Sequence, residues 1–343
     1  SLPLPPSRLP DATPTSTAPP SRPRRNKRWV AVQVVVTAVI LWYVGKGVLD
    51  QRSKFRGVPP ALHVRWELIV VATAVYLGGF AVLVETWRRI VRAWGSELTF
   101  LDAARIWFVS SLVRYLPWNF VFQLGAVAEL SRRDQISPVA ATGASVINVA
   151  VNIAMGFVIA LVAGFRALDT LSHGNATLGI VVAVVLLGGL LALPSLLPVM
   201  LRLAQRVTGR QIAIGTLPRR AIYIALAGNM IAWVLYGVAY QALVAGVIGS
   251  APGTTLDYIG VYAAAYVIGY LAFALPAGAV VRETVQMDAL PMLGLATFGQ
   301  AAVIAVSARL WVTVLEVTPA LVFLARGSRR QSRVSTPRHG SPP

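Results

Sequence analysis

Two arginines stand inside stretches that are otherwise apolar enough to enter a bilayer. Arg114 sits in Ser110-Ser111-Leu112-Val113-Arg114-Tyr115-Leu116-Pro117-Trp118-Asn119, and Arg282 in Ala274-Leu275-Pro276-Ala277-Gly278-Ala279-Val280-Val281-Arg282-Glu283. A guanidinium stays charged and presents a forked set of donors that suits phosphate. Pro117 interrupts the first stretch, and Pro276 with Gly278 interrupts the second. Hydrocarbon tolerates a broken helix and a charge only where protein or a water-filled cavity covers them. The chemistry on offer is therefore capture of a headgroup phosphate inside the membrane, with Tyr115 and Asn119 beside the first break as part of the same candidate site. The structural alternative is that Arg114 pairs with Glu129, and Arg282 with Glu283 or Glu316, only to hold these segments in place.

Other polar side chains lie within apolar runs. Arg309 and Glu316 are seven residues apart, hence on one helical face, and are expected to pair. Glu85 closes its apolar run beside Arg88 and Arg89 and reads as interfacial. Asn148 and Asn152, at i and i+4, either hydrogen-bond between helices or line a cavity. Asn229, Trp233, Tyr236 and Tyr240 share a face, for helix packing or for guiding a headgroup. Enzymatic constellations are missing. His63, His173 and His339 form no metal-spaced cluster, and no serine elbow, P-loop or His-Glu-x-x-His motif occurs. A carboxylate pair such as Glu129 with Glu283 could act as base and acid, but nothing in the sequence brings the two together. No cofactor is expected.

Composition sets the solvent. The chain is 56% hydrophobic and 13% charged, where a soluble domain carries about 25% charged residues. This is the composition of an integral membrane protein. The net charge of +18 is concentrated: residues 1–28, 201–220 and 326–343 carry fifteen of the eighteen charges, and each abuts an apolar run. That placement matches the positive-inside rule and contact with anionic headgroups, and no nucleic-acid module accompanies it. With no cysteine, there is neither a disulfide frame nor a thiol site.

A span needs about 20 apolar residues. Such runs fall near 29–48, 67–87, 138–163, 177–200, 220–248 and 294–325, with the interrupted stretches 103–128 and 257–291 making eight hydrophobic segments. The expected fold is all-α and integral to the membrane: about six full transmembrane helices plus two re-entrant or broken hairpins. Residues 1–28 and 327–343 read as disordered basic tails around one polytopic domain over 29–326. Treating the interrupted stretches as hairpins puts most of the basic segments, and both termini, on the cytoplasmic side. The halves, about 29–163 and 177–326, then hold three spans each and are inverted relative to one another, an arrangement that places a binding site at the midplane between repeats. Gly125-Ala126-Val127 before Pro138 and Gly278-Ala279-Val280 before Pro291, with equal spacing, give faint support for such a repeat.

At these residues the chain resembles the transmembrane flippase-like family typified by the N-terminal membrane domain of lysylphosphatidylglycerol synthase/flippase proteins. The likeness rests on Arg114-Tyr115-Leu116-Pro117 with the glycine and basic residues near 125–133, on Pro276-x-Gly278-x-x-x-Arg282-Glu283, and on Ser307-x-Arg309. There are departures. The family's usual Pro-Gly-Lys is Pro117-Trp118-Asn119, a usual glutamate is replaced by Asn148 or Asn152, and the glycine before Arg-Glu is Val281. The resemblance implies translocation of a lipid between leaflets, an aminoacylated phospholipid or a lipid-linked sugar, and not its synthesis, since only a short basic tail follows the last span.

The expectation is thus a flippase-like protein of a bacterial cytoplasmic membrane whose partner is a lipid with an anionic or phosphate-bearing headgroup. Assembly as a homo-oligomer or within a larger membrane complex is left open. Two other readings use the same residues: an accessory subunit without transport activity, and an intramembrane lipid-modifying enzyme.

Overall fold

The computed structural model describes residues 64–115, 119–134, 136–163, 219–271 and 280–334, all helix and short connections among the described residues. Eight α-helices follow in order: α1 Trp66–Ala93, α2 Phe100–Ser111, α3 Asn119–Arg133, α4 Pro138–Ala163, α5 Arg219–Ile248, α6 Thr255–Leu271, α7 Val281–Met292 and α8 Phe298–Val334. A short 3-10 turn, Leu112–Tyr115, extends α2. Four of them, α1, α4, α5 and α8, are long and apolar enough to cross a membrane. They correspond to the runs expected at 67–87, 138–163, 220–248 and 294–325. The expected spans at 29–48 and 177–200 lie outside the described residues. Val70, Val139 and Val314 expose 59–66% of their surface. Large apolar side chains facing outward along long helices fit a hydrocarbon surround rather than water.

The helix starts are written locally. Thr99 caps α2 by accepting the Asp102 N–H at 3.2 Å. Ser137 accepts the Ala140 N–H at 3.3 Å, with Pro138 in the first helical position of α4. Thr254 and Asp257 bond reciprocally at the start of α6, and Thr297 and Gln300 at the start of α8. At the other terminus of α8 the sequence reading is corrected. The helix runs on to Val334, through Arg-rich sequence expected to be loose. Arginine and glutamine are good helix formers, and basic residues suit a helix C-terminus.

Contacts fix the directions of the helices. α1 and α5 are antiparallel along their length: the Arg65 N–H donates to the Gly246 carbonyl at 2.9 Å, Gly79 faces Tyr236, and Gly228 faces Thr86. The glycines let the backbones close up, since a Cβ on Gly79 would stand 2.6 Å from Tyr236 Cε1. α4 runs parallel to α5, with Asn148 and Asn152 against Asn229 and Gly156 against Trp233. α4 and α6 are antiparallel, Ala163 meeting Gly260 and Gly156 meeting Val267.

Each of the two interrupted stretches begins and finishes at a single end of the bundle, and the two ends are opposite. At one end, Trp87 Nε1 donates to Ser145 Oγ at 2.9 Å and Trp94 packs on Gly143, so α1 ends where α4 begins. Arg88 donates to the Leu98 carbonyl at 3.2 Å, and Arg105 pairs with Asp134. Hence α2 starts and α3 finishes at that same end. At the other end, Tyr258 donates to the Pro252 carbonyl at 2.7 Å and Leu295 abuts Gly253, so α6 starts where α7 finishes. The first end carries Arg88, Arg89, Arg92, Arg105, Arg132 and Arg220, with Glu85, Glu97, Asp102, Glu129 and Asp134 among them, and is called the arginine end below. The second carries Arg65 with Glu67, Asp257 and Asp288.

Candidate functional site

Helices α1 to α8 all contribute to one cavity. On α1 the wall runs from Tyr76 to Trp87 and on α4 from Ser145 to Ile153, so the hollow occupies the half of the bundle nearer the arginine end. Toward the opposite end it is closed by tyrosines. Tyr240, Tyr258 and Tyr262 are at most 1% exposed, and the Tyr76 and Tyr262 hydroxyls hydrogen-bond at 2.7 Å. Trp311 seals the same level from α8, donating to Thr73 Oγ1 at 2.9 Å.

Arg282 enters the wall from the first turn of α7. Its guanidinium carbon stands 4.9 Å from the Tyr262 ring centroid and 5.3 Å from that of Tyr266. Among the described residues it rests on ring faces and makes no carboxylate hydrogen bond; the pairing with Glu283 or Glu316, posed as the structural alternative, is not among the ion pairs formed there. Two aromatic faces hold a cation by their quadrupoles while leaving the N–H edges of the fork available. Just before it, Val280 adopts φ 73° and ψ −48°. For a β-branched residue that is a strained conformation, of the kind that clusters at functional sites.

Arg309, on α8, lines the same cavity and pairs across to α7, its Nε 3.6 Å from Glu283 Oε1. The two side chains are 11% and 10% exposed, so Glu283 stands behind Arg309 as a buried counter-charge. The sequence reading set Glu316 as the partner of Arg309. Seven-residue spacing aligns two side chains on one helix, but it carries no information about a carboxylate on a neighbouring helix.

Asn229 joins the two asparagines of α4. It accepts from Asn152 Nδ2 at 2.8 Å and donates to Asn148 Oδ1 at 3.2 Å, while Trp233 Nε1 donates to the Asn152 carbonyl at 3.1 Å. Asn148 and Asn152 line the cavity, and Asn229 is wholly buried behind them. Interhelical bonding and cavity lining, posed as alternatives, coexist.

Of the residues singled out in the sequence, Arg282, Arg309, Glu316, Asn148 and Asn152 share this wall, with Glu283 one layer behind. Glu129 does not join them. It is 53% exposed on α3 and pairs with Arg132 at 3.5 Å, apart from the buried Glu283. The side chains of Arg114, Tyr115 and Asn119, and the whole of Pro117, Pro276 and Gly278, lie outside the described residues. Glu85 bonds Arg88 and Arg89, each at 2.7 Å, as an interfacial cluster. Sequence reasoning missed Tyr76, Tyr262 and Tyr266. A signal existed, because Tyr258, Tyr262, Tyr266 and Tyr270 recur every fourth residue and so share one face of α6. No protein-family model matches the chain, and no curated protein matches it either.

Proposed function

We propose that this is a flippase-like membrane protein that carries a phosphate-bearing lipid headgroup across the bilayer through the central cavity. The observation that carries the reading is Arg282. It is a permanent cation at the first turn of an interrupted segment, held on two tyrosine faces at the wall of the hollow that all eight described α-helices line. Arg309 adds a second cation on the facing helix. Eleven residues into α8, it sits ~16 Å from the helix start, about half of a ~30 Å hydrocarbon core.

The same reading takes α2–α3 and α6–α7 as re-entrant hairpins within an inverted repeat of six spans. In its favour, each half runs long, short, short, long, and the corresponding helices α1 and α5 are antiparallel. Each interrupted pair starts and finishes at a single end, the two ends being opposite, and α4 packs on α6 as α8 packs on α2. α4 and α5 run in the same direction, which a crossing by 177–200 between them would produce. The arginine end is assigned to the cytoplasm by its charge. The cavity then corresponds to the cytoplasm-facing state, with the tyrosine layer as the closed outer side. Rocking of the halves about the α1–α5 seam would open the other side, while the acyl chains stay in the membrane. In the absence of any nucleotide-binding motif, the drive is an ion gradient, the membrane potential or the lipid gradient.

The test is translocation of a chain-labelled phospholipid in proteoliposomes, read as the fraction of label bleached by an impermeant reductant. The full chain should raise that fraction above protein-free vesicles, and Arg282→Gln should abolish the rise. Equal bleaching with and without protein would point to an accessory role.

A further inference from the structure

We infer that Glu283 binds the proton that accompanies the headgroup: when an anion draws Arg309 toward the cavity, the Glu283 carboxylate takes up one proton. The inference rests on reading the cavity as a headgroup site, and it adds the ion coupled to that site. It starts from oxygens that lack donors. Glu283 is 8% exposed, and neither of its carboxylate oxygens accepts a hydrogen bond among the described residues. Its ion pair is loose, with Arg309 Nε 3.6 Å from Oε1. Gln286, three residues on and so on the same face of α7, is 2% exposed, and its Oε1 is also without a donor. Three buried acceptors on one turn thus lack a donor, where buried polar atoms ordinarily have one. A protonated carboxyl is itself a donor. Side chains at i and i+3 stand about 5–6 Å apart at Cβ, within reach of each other.

Charge points the same way. Arg282, Arg309 and Glu316 line the cavity, and Glu283 stands behind Arg309. Among the described residues, two cations thus face two carboxylates, and the wall is neutral on its own. A phosphodiester entering it adds one negative charge where uncompensated charge is costly. One proton on a carboxylate restores the balance. Around Glu283, α8 supplies Arg309, and α6 supplies the rings of Tyr262 and Tyr266 that hold the Arg282 guanidinium. Asp288, further along α7, is exposed. As Arg309 turns to the phosphate, Glu283 loses its counter-charge, cavity water supplies a proton to the uncovered oxygen, and the new O–H donates to Gln286 Oε1. A sodium ion would bring the same charge, but it must sit among these oxygens beside the guanidinium 3.6 Å from Oε1, which repels it. A proton becomes part of the carboxyl instead. The load is then electroneutral, one phosphodiester with one proton, and is driven by a pH difference rather than by the membrane potential.

The experiment titrates the full chain in phosphatidylcholine nanodiscs with short-chain phosphatidylglycerol. Calorimetry at neutral pH in buffers of different ionisation enthalpy counts the protons taken up. About one proton per lipid bound is expected, and affinity should rise up to about tenfold for each unit the pH falls. Glu283→Gln, a neutral stand-in for the protonated carboxyl, should bind with no proton uptake and with an affinity that no longer follows pH. Glu316→Gln should keep both. Gln286→Met removes the acceptor without removing a charge and should shift the pH profile to lower pH, a readout that stands even if Glu283→Gln fails to fold. Lipid binding without proton uptake overturns the inference and leaves the headgroup reading standing. So does uptake abolished by Glu316→Gln in place of Glu283→Gln, an unshifted profile in Gln286→Met, or an affinity that follows sodium concentration at fixed pH. An absence of lipid binding at every pH strikes the headgroup reading, and the coupling falls with it.

Discussion

Arg282 lies 4.9 Å above the ring of Tyr262, and the hydroxyl of that tyrosine is shared with Tyr76 at 2.7 Å. The cation at the cavity wall is therefore joined, through one ring, to the layer that closes the cavity. Tyr262→Phe keeps the ring under the guanidinium but strands the Tyr76 hydroxyl, 3% exposed, without its partner. It should cost about 1–2 kcal/mol in unfolding free energy. Tyr76→Phe with Tyr262→Phe should cost less than the two singles combined, because both hydroxyls are then gone.

The Glu283–Arg309 pair is the second linkage to test. Glu283→Gln removes the buried counter-charge from Arg309, and breaking a buried pair of this kind costs about 3–5 kcal/mol. Thermal unfolding in detergent should show a large drop. Adding Arg309→Gln should recover part of it, since both charges of this pair are then gone.

Asn229→Leu should destabilise by about 1–3 kcal/mol, because it removes the partner of Asn148 and Asn152 together and leaves two buried amide groups unmet. Asn229→Asp would replace the donor to Asn148 by an oxygen and should be at least as damaging. Chemical denaturation of the reconstituted chain is the check.

Adjacent glycines should behave oppositely. A Cβ at Gly79 would stand 2.6 Å from the Tyr236 ring, whereas one at Gly78 meets nothing within 4 Å. Gly79→Ala should force α1 and α5 apart at a cost of about 1–3 kcal/mol. Gly78→Ala should be neutral or stabilising by up to about 1 kcal/mol, through helix propensity. Melting temperatures of the two variants measure the difference directly.

What could be read from the sequence follows the range of each signal. The apolar runs located α1, α4, α5 and α8 because length and hydropathy are properties of a single segment, and the prolines marked both interruptions for the same reason. Arg282 was legible because a charge among Ala, Val and Leu demands cover. Its tyrosine seat was not, because tyrosines in apolar helices also serve as interfacial anchors, and only the fold shows Tyr262 and Tyr266 under the guanidinium. Arg309 was set with Glu316 by spacing along one helix, while the counter-charge at Glu283 depends on how α7 packs on α8. Asn148 and Asn152 were flagged as a pair, and Asn229 as part of a separate face. That these form one chain of amides depends on α4 and α5 running parallel, which no local pattern encodes.

Transport as proposed requires a lipid phosphate to be drawn to Arg282. The most direct measurement is a cryo-electron microscopy map of the full chain in nanodiscs containing anionic phospholipid. Phosphate density is expected within hydrogen-bonding distance of the Arg282 guanidinium, with acyl chains leaving the cavity into the surrounding bilayer. A cavity holding only water, with Arg282 still stacked on both tyrosines and lipid confined to the outer surface, would contradict it.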